Sequence, residues 1–178
     1  EHLIALGHRH FAFLSTPLNS ENSIRVRRME GVRDAVKRLG KDCSFLVKAI
    51  DVSRSSDIND PDIEHKVGYQ LAQECLQVQK LTALICVNDM VAYGAMDALM
   101  QAGKKIPEDY SVCGFDNIFP SHMTAVSLTS IENHMLLKGK NAFDMLYRRI
   151  NQIGTPEGSN PSLTRVEYPP KLVVRSST

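Results

Sequence analysis

Residues 81–115 read LTALICVNDMVAYGAMDALMQAGKKIPEDYSVCGF, and the fold follows from them. Residues 81–87 form an apolar run of strand length, uninterrupted by polar alternation, as in a strand buried on both faces. Asn88 and Asp89 then supply short acceptor side chains for the free N–H groups that open a helix. Residues 90–102 carry helical periodicity, and Gly103 closes it. Pro107, Glu108 and Asp109 turn the chain into a second apolar run at 111–115. Strand, helix and strand in this order predict a parallel pair joined by a crossover.

The same alternation extends in both directions. Upstream, residues 1–6 read as the end of a helix capped by Gly7, and 11–14 as a buried strand. After a loop at 16–20, a helix is predicted over 25–39, with Val32, Ala35, Val36 and Leu39 on one face and Gly40 beyond. A strand at 45–47, a polar stretch at 53–61 and a helix over 62–78 complete this half; Val67, Leu71, Cys75 and Val78 mark the helix's inner face. Downstream, 128–131 reads as a strand, 135–150 as a helix and 153–161 as a turn region, with strands at 164–168 and 172–174. The class is α/β: a doubly wound, mostly parallel sheet with helices on both faces.

Composition narrows the function. The 178 residues are 43% hydrophobic and 23% charged, with a net charge of +1. A domain that grips nucleic acid by its own field carries a clear basic excess. No apolar run approaches the roughly 20 residues of a membrane span. Cys43, Cys75, Cys86 and Cys113 form no CxxC pair, and free buried thiols favour the reducing cytoplasm. His8 and His10 make an H-x-H pair with no third ligand in view, so no metal is expected, nor any cofactor. The nucleophile elbow, the phosphate-binding loop and H-E-x-x-H are all missing, so no enzyme is predicted.

In an open parallel sheet, ligands bind beyond the carboxyl ends of the strands. That rule selects Arg25, Arg27 and Arg28 after the first strand, Asn88 and Asp89 after the 81–87 run, and Asp116 and Asn117 after the 111–115 run. A guanidinium donates in a planar fork, a carboxylate accepts, and an amide does both. Such a set suits a polar, polyhydroxylated small molecule. Helix capping by Asn88, a plain turn at Asp116 and a solvated helix face at the arginines explain the same residues without a ligand.

The residues at these strand ends sit in blocks that resemble the lactose-repressor family of transcription regulators. The blocks are 2–9 (HLIALGHR) followed by 11–13, Arg28-Met29-Glu30-Gly31 as R-x-x-G, and Asn88-Asp89 with 92–96 as N-D-x-x-A-x-G-A. Residues 106–117 (IPEDYSVCGFDN) match I-P-x-D-x-S-V-x-G-F-D, and 128–131 and 172–175 also fit. Asn117 stands where the family often has an acid.

The resemblance implies a periplasmic-binding-protein-like core of two lobes with a small effector, a sugar or sugar derivative, in the cleft. It places effector contacts at Arg28, Asn88 and Asp116, with Asn133 as a further candidate and Arg27 as the alternative if the helix is turned by one residue. It implies a homodimer, with the 90–102 helix and the 118–124 loop facing the partner and Tyr93, Met96 and Met123 as contacts. Operator DNA would be read only by an N-terminal helix-turn-helix, which, with a hinge helix and most of the first lobe, would precede Glu1. On that scheme residues 1–134 form the second lobe, 135–161 belong to the first, and 162–178 return as strands to the second. The apolar face of the 135–150 helix is then expected to be covered by a second copy or folded back on its own lobe. A sugar-binding protein of a periplasmic transport system shares the fold and is the main alternative.

Overall fold

The computed structural model describes residues 1–18, 23–40, 42–50, 60–122, 125–152 and 164–178. In chain order the elements are α1 (His2–Ala5), β1 (His10–Ser15), α2 (Ile24–Lys37), β2 (Ser44–Ala49), α3 (Ile63–Cys75) and β3 (Ala83–Cys86). They continue with α4 (Asp89–Gln101), β4 (Ser111–Phe115), a 3₁₀ turn (Phe119–His122), β5 (Thr129–Glu132), α5 (Met135–Asn151) and β6 (Lys171–Val173). One six-stranded sheet runs β2-β1-β3-β4-β5-β6, parallel throughout except for β6, which is antiparallel to β5.

The register assigns the side chains to two faces, since successive residues of a strand point to opposite sides. Phe11 pairs with Ala83 and Phe13 with Ile85, so these share one face; Ala12, Leu14, Leu84 and Cys86 share the other. Helices α3 and α4 cover the second face, where Leu71, Val91 and Leu99 are fully buried with Leu14 and Leu84. Each such side chain withdrawn from water contributes roughly 1.5–3 kcal/mol. Helices α1 and α2 cover only part of the first face. Beyond them an apolar depression of about 780 Å³ lies over Ile85, Cys113, Phe115, Ile131 and Leu172.

Helices α3 and α4 meet backbone to backbone. A Cβ on Gly68 would stand 2.0 Å from the Val91 carbonyl oxygen, and one on Gly94 would stand 1.9 Å from that of His65. Each helix thus has a glycine where the other's main chain passes. At the start of α4, Asn88 is the cap predicted from sequence, its Oδ1 accepting from the Val91 N–H at 3.0 Å.

Two expectations are corrected. Residues 164–168 are not a strand. Their alternating pattern is strand-like, but the free edge of β5 is taken by Lys171–Val173, and Tyr168 instead accepts a hydrogen bond from Asn141 Nδ2 of α5 at 2.5 Å. The chain therefore rejoins the sheet at Lys171, later than predicted. Helix α5 does not fold back over the lobe either: none of its residues is buried, and Leu136 is 93% and Ile150 55% exposed. The turn region at 153–161, Met123, and most of the polar stretch at 53–61 lie outside the described residues.

Candidate functional site at the carboxyl ends of the strands

The polar cluster forms where β3 and β4 end. On α2, Val26 and Met29 turn into the core, which fixes the phase of the helix. Arg28 then points inward over the strand ends, while Arg27 is exposed. Its guanidinium carbon lies 3.6 Å from the centre of the Phe115 ring, a cation over an aromatic face. Nη1 donates to the Val87 carbonyl oxygen at 2.6 Å, and Nη2 donates to Asp116 Oδ1 at 3.2 Å. Asn133 Nδ2 reaches the same Oδ1 at 2.8 Å. Arg28, Asp116 and Asn133, three of the sequence candidates, are thus one bonded group drawn from α2, the end of β4 and the end of β5.

The group is incompletely satisfied. Arg28 Nε and Asn133 Oδ1 are buried without a hydrogen-bond partner, as are Ser15 Oγ at the end of β1 and Thr16 Oγ1 just past it. Orphaned buried polar atoms are costly, at roughly 1–3 kcal/mol each, and call for an explanation. Here a donor and an acceptor stand beside one carboxylate. Burial raises the Asp116 carboxyl above its ordinary range, opposed chiefly by the Arg28 charge. Burial also lowers Arg28, and Asp116 opposes it; a guanidinium stays protonated regardless.

Asn88 is close in sequence to this group but differently engaged. With Oδ1 capping α4, its Nδ2 donates to Glu64 Oε2 at 2.7 Å, and Glu64 Oε1 lies 3.7 Å from Arg25. Arg25, Glu64 and Asn88 form a second polar chain. Of the interface candidates, Tyr93 is half-buried with its hydroxyl 2.9 Å from Ser121 Oγ. Met96 is a core residue at 2% exposure, so its side chain offers no surface to a partner.

Sequence reasoning missed Phe115 and Glu64, and it offered Asp89 as a strand-end ligand group without foreseeing its burial. Phe115 was visible only as the apolar residue before Asp116. Asp89 read as part of a cap, yet it is 1% exposed and buried beneath the turn after β4. The H-x-H pair is divided: His8 binds Thr82 and Ser111 across the opposite end of the sheet, and His10 binds Ser44, each at 2.9 Å. Among the described residues no group of three or more His, Cys, Asp or Glu side chains is placed to hold a metal ion. No helix there is long and apolar enough to cross a membrane.

A parallel sheet with a polar group at its carboxyl edge is the architecture of a small-molecule binding lobe. The model of the periplasmic binding protein-like domain matches residues 1–178, and the chain belongs to that family. It is similar to the HTH-type transcriptional repressor PurR of Haemophilus influenzae, at 32% identity over 180 residues. The same repressor from Glaesserella parasuis is 34% identical over 179 residues. These alignments cover 99% of this chain but 48% and 49% of the two repressors, so the chain spans about half the length of the curated relatives it matches. A LacI family transcriptional regulator from Enterococcus faecium, solved with bound ribose, superposes with a TM-score of 0.79 at 28% identity, covering 99% of this chain and 59% of that one. The resemblance to lactose-repressor-type regulators thus holds in sequence and in fold.

Proposed function

We propose that this chain is the effector-sensing part of a DNA-binding transcription regulator and takes a sugar or sugar derivative at the carboxyl ends of β3, β4 and β5. One observation carries the reading: Arg28, Asp116 and Asn133 converge there and leave a buried donor, Arg28 Nε, and a buried acceptor, Asn133 Oδ1, unpartnered. A sugar hydroxyl donates and accepts at once, so adjacent hydroxyls complement such a set. The ribose bound to the Enterococcus faecium regulator supports the same ligand class. Asn88 joins the reading as a contact that must release Glu64 to reach the ligand.

On the same reading, the partners are those that the family resemblance implies. The regulator is a cytoplasmic homodimer, in keeping with the free thiols, and reads operator DNA through a helix-turn-helix outside this chain. Tyr93 and the loop after β4 face the partner, and residues 135–161 belong to the other lobe of the cleft. The test is calorimetric titration of the full-length protein with D-ribose, other pentoses, hexoses and disaccharides, using adenine as a non-sugar control. Saturable sugar binding that Asp116→Ala abolishes supports the reading. Absence of saturation by every sugar overturns it.

A further inference from the structure

The Asp116–Asn117 turn is held in an unusual backbone state. Asp116 has φ 106° and Asn117 φ 50°, and neither is glycine. L-residues enter this region at a cost, and surrounding bonds must fix them there. The Asp116 N–H bonds the Ile131 carbonyl and the Asn117 side chain bonds Glu132 and Arg175; a further set of bonds comes from below. Asp89, the first residue of α4, sits under the turn. Its Oδ2 accepts from the Ile118 backbone N–H at 2.8 Å and from Ser121 Oγ at 2.9 Å. Its Oδ1 accepts from Ser130 Oγ at 2.5 Å, and that same oxygen accepts from the Asn117 backbone N–H at 3.0 Å. One buried carboxylate thus grips both residues that follow Asp116, directly and through Ser130.

Two further features are shaped around it. Gly114 lies opposite: a Cβ there would come 2.2 Å from Asp89 Oδ1. The glycine of the G-F-D block is therefore required by the aspartate of the N-D block, 25 residues earlier. The helix position also suits a negative charge, since the free N–H groups of a first turn favour an anion. Asp89 itself faces no open cleft, at 1% exposure.

We infer that Asp89 is a positioning residue for the effector site: through Ile118, Ser121 and Ser130 it fixes the strained turn that presents Asp116 to Arg28 and Asn133. This rests on the proposed sugar site, but the geometry beneath the turn does not. Two readouts separate the two. The first is amide hydrogen exchange at Asn117 and Ile118 in the full-length protein, compared between wild type, Asp89→Ala, Asp89→Asn and Ser130→Ala. The second is affinity for D-ribose by calorimetry. Asp89→Ala is expected to speed exchange at Asn117 and Ile118 by about tenfold or more, the equivalent of losing one charge-assisted hydrogen bond, and to weaken ribose by a similar factor. Core amides of β1 and β3 should be unchanged. Asp89→Asn keeps one acceptor and should recover part of both effects. Ser130→Ala should act on Asn117 alone, and it keeps the test open if Asp89→Ala does not fold. Exchange at Asn117 and Ile118 that stays unchanged, or that rises equally across the whole sheet, overturns the inference. If wild type does not bind ribose, the exchange data still decide the role of Asp89, and only the choice of sugar fails.

Discussion

Arg28 and Asp116 are 88 residues apart in the chain and 3.2 Å apart in the fold, with the Phe115 ring stacked against the guanidinium. The pair ties α2 to the end of β4. It also leaves Asp116 accepting both of its hydrogen bonds on Oδ1. The second oxygen is therefore the natural acceptor for a ligand hydroxyl. In the full-length protein, Asp116→Ala is expected to weaken sugar binding by about 1.5–3 kcal/mol, the worth of a hydrogen bond to a charged group. Calorimetry with the best-bound sugar measures it, and unchanged affinity removes Asp116 from the site.

Arg28→Lys separates charge from shape. Lysine keeps the charge but lacks the planar fork that bonds Val87 and Asp116 together while lying on Phe115. We expect the variant to fold and to lose about tenfold or more in sugar affinity, a loss of the size expected for one charge-assisted hydrogen bond. An affinity equal to wild type would show that only the positive charge matters.

The close contact of α3 and α4 predicts a stability effect remote from the site. Gly68→Ala or Gly94→Ala drives a methyl into a main-chain carbonyl. Overpacking of this kind costs about 1–3 kcal/mol or more. For a chain of this size each kcal/mol lowers the melting temperature by about 2–4 °C. Gly139→Ala is the control, because a Cβ there meets nothing within 4 Å. Equal melting temperatures for all three would contradict the packing.

Asp89 should leave a signature in the pH dependence of stability. Burial raises its carboxyl above the ordinary aspartate value, and the bonds from Ser130, Ile118 and Ser121 lower it only in part. A raised acid holds its proton longer in the folded than in the unfolded chain. Its contribution is therefore full at low pH and is lost as pH rises from the unfolded value, about 3.9, through the folded one. Asp89→Asn has no such loss. The stability of Asp89→Asn minus that of wild type should rise with pH above about 4 and then level off. Denaturant unfolding over this range checks it; a flat difference would mean that Asp89 titrates normally.

The thiols give the fifth contrast. Burial pushes Cys75 up to about 11 and Cys113 up to about 12, and raises Cys86 as well. Only Cys43 is partly exposed. A thiol reagent at neutral pH should label Cys43 in the folded chain and the other three only after unfolding. Rapid labelling of Cys86 would place it outside the core.

The sheet was legible because its signals are local. The 81–87 run, the Asn88 cap and Gly103 are all read within one βαβ unit, and the structure has them with boundaries moved by a residue or two. The phase of α2 was harder. Arg27 and Arg28 differ by one helical step, and only the burial of Val26 and Met29 decides between them. The role of Asp89 was not legible: beside Asn88 it reads as a cap or a ligand group at the strand end, and its burial depends on Gly114 and Ser130, which approach it through tertiary packing. Residues 164–168 show the converse. A strand pattern is necessary for a strand, but the pairing edge must also be vacant, and β6 had taken it.

The two glycines at the α3–α4 contact also decide how this half of the molecule can move. Helices spaced by side chains can shear, because rotamers swing aside. Helices whose carbonyls rest on bare α-carbons have nothing to swing, and sliding would force main chain through main chain. With the sheet beneath them, α3 and α4 therefore act as a single stiff plate. Compliance is left to the two connections at 133–134 and 168–170, which His134 laces together through Pro169. On the proposed reading of the site, a response to ligand would move this plate as one body, with its interior unchanged.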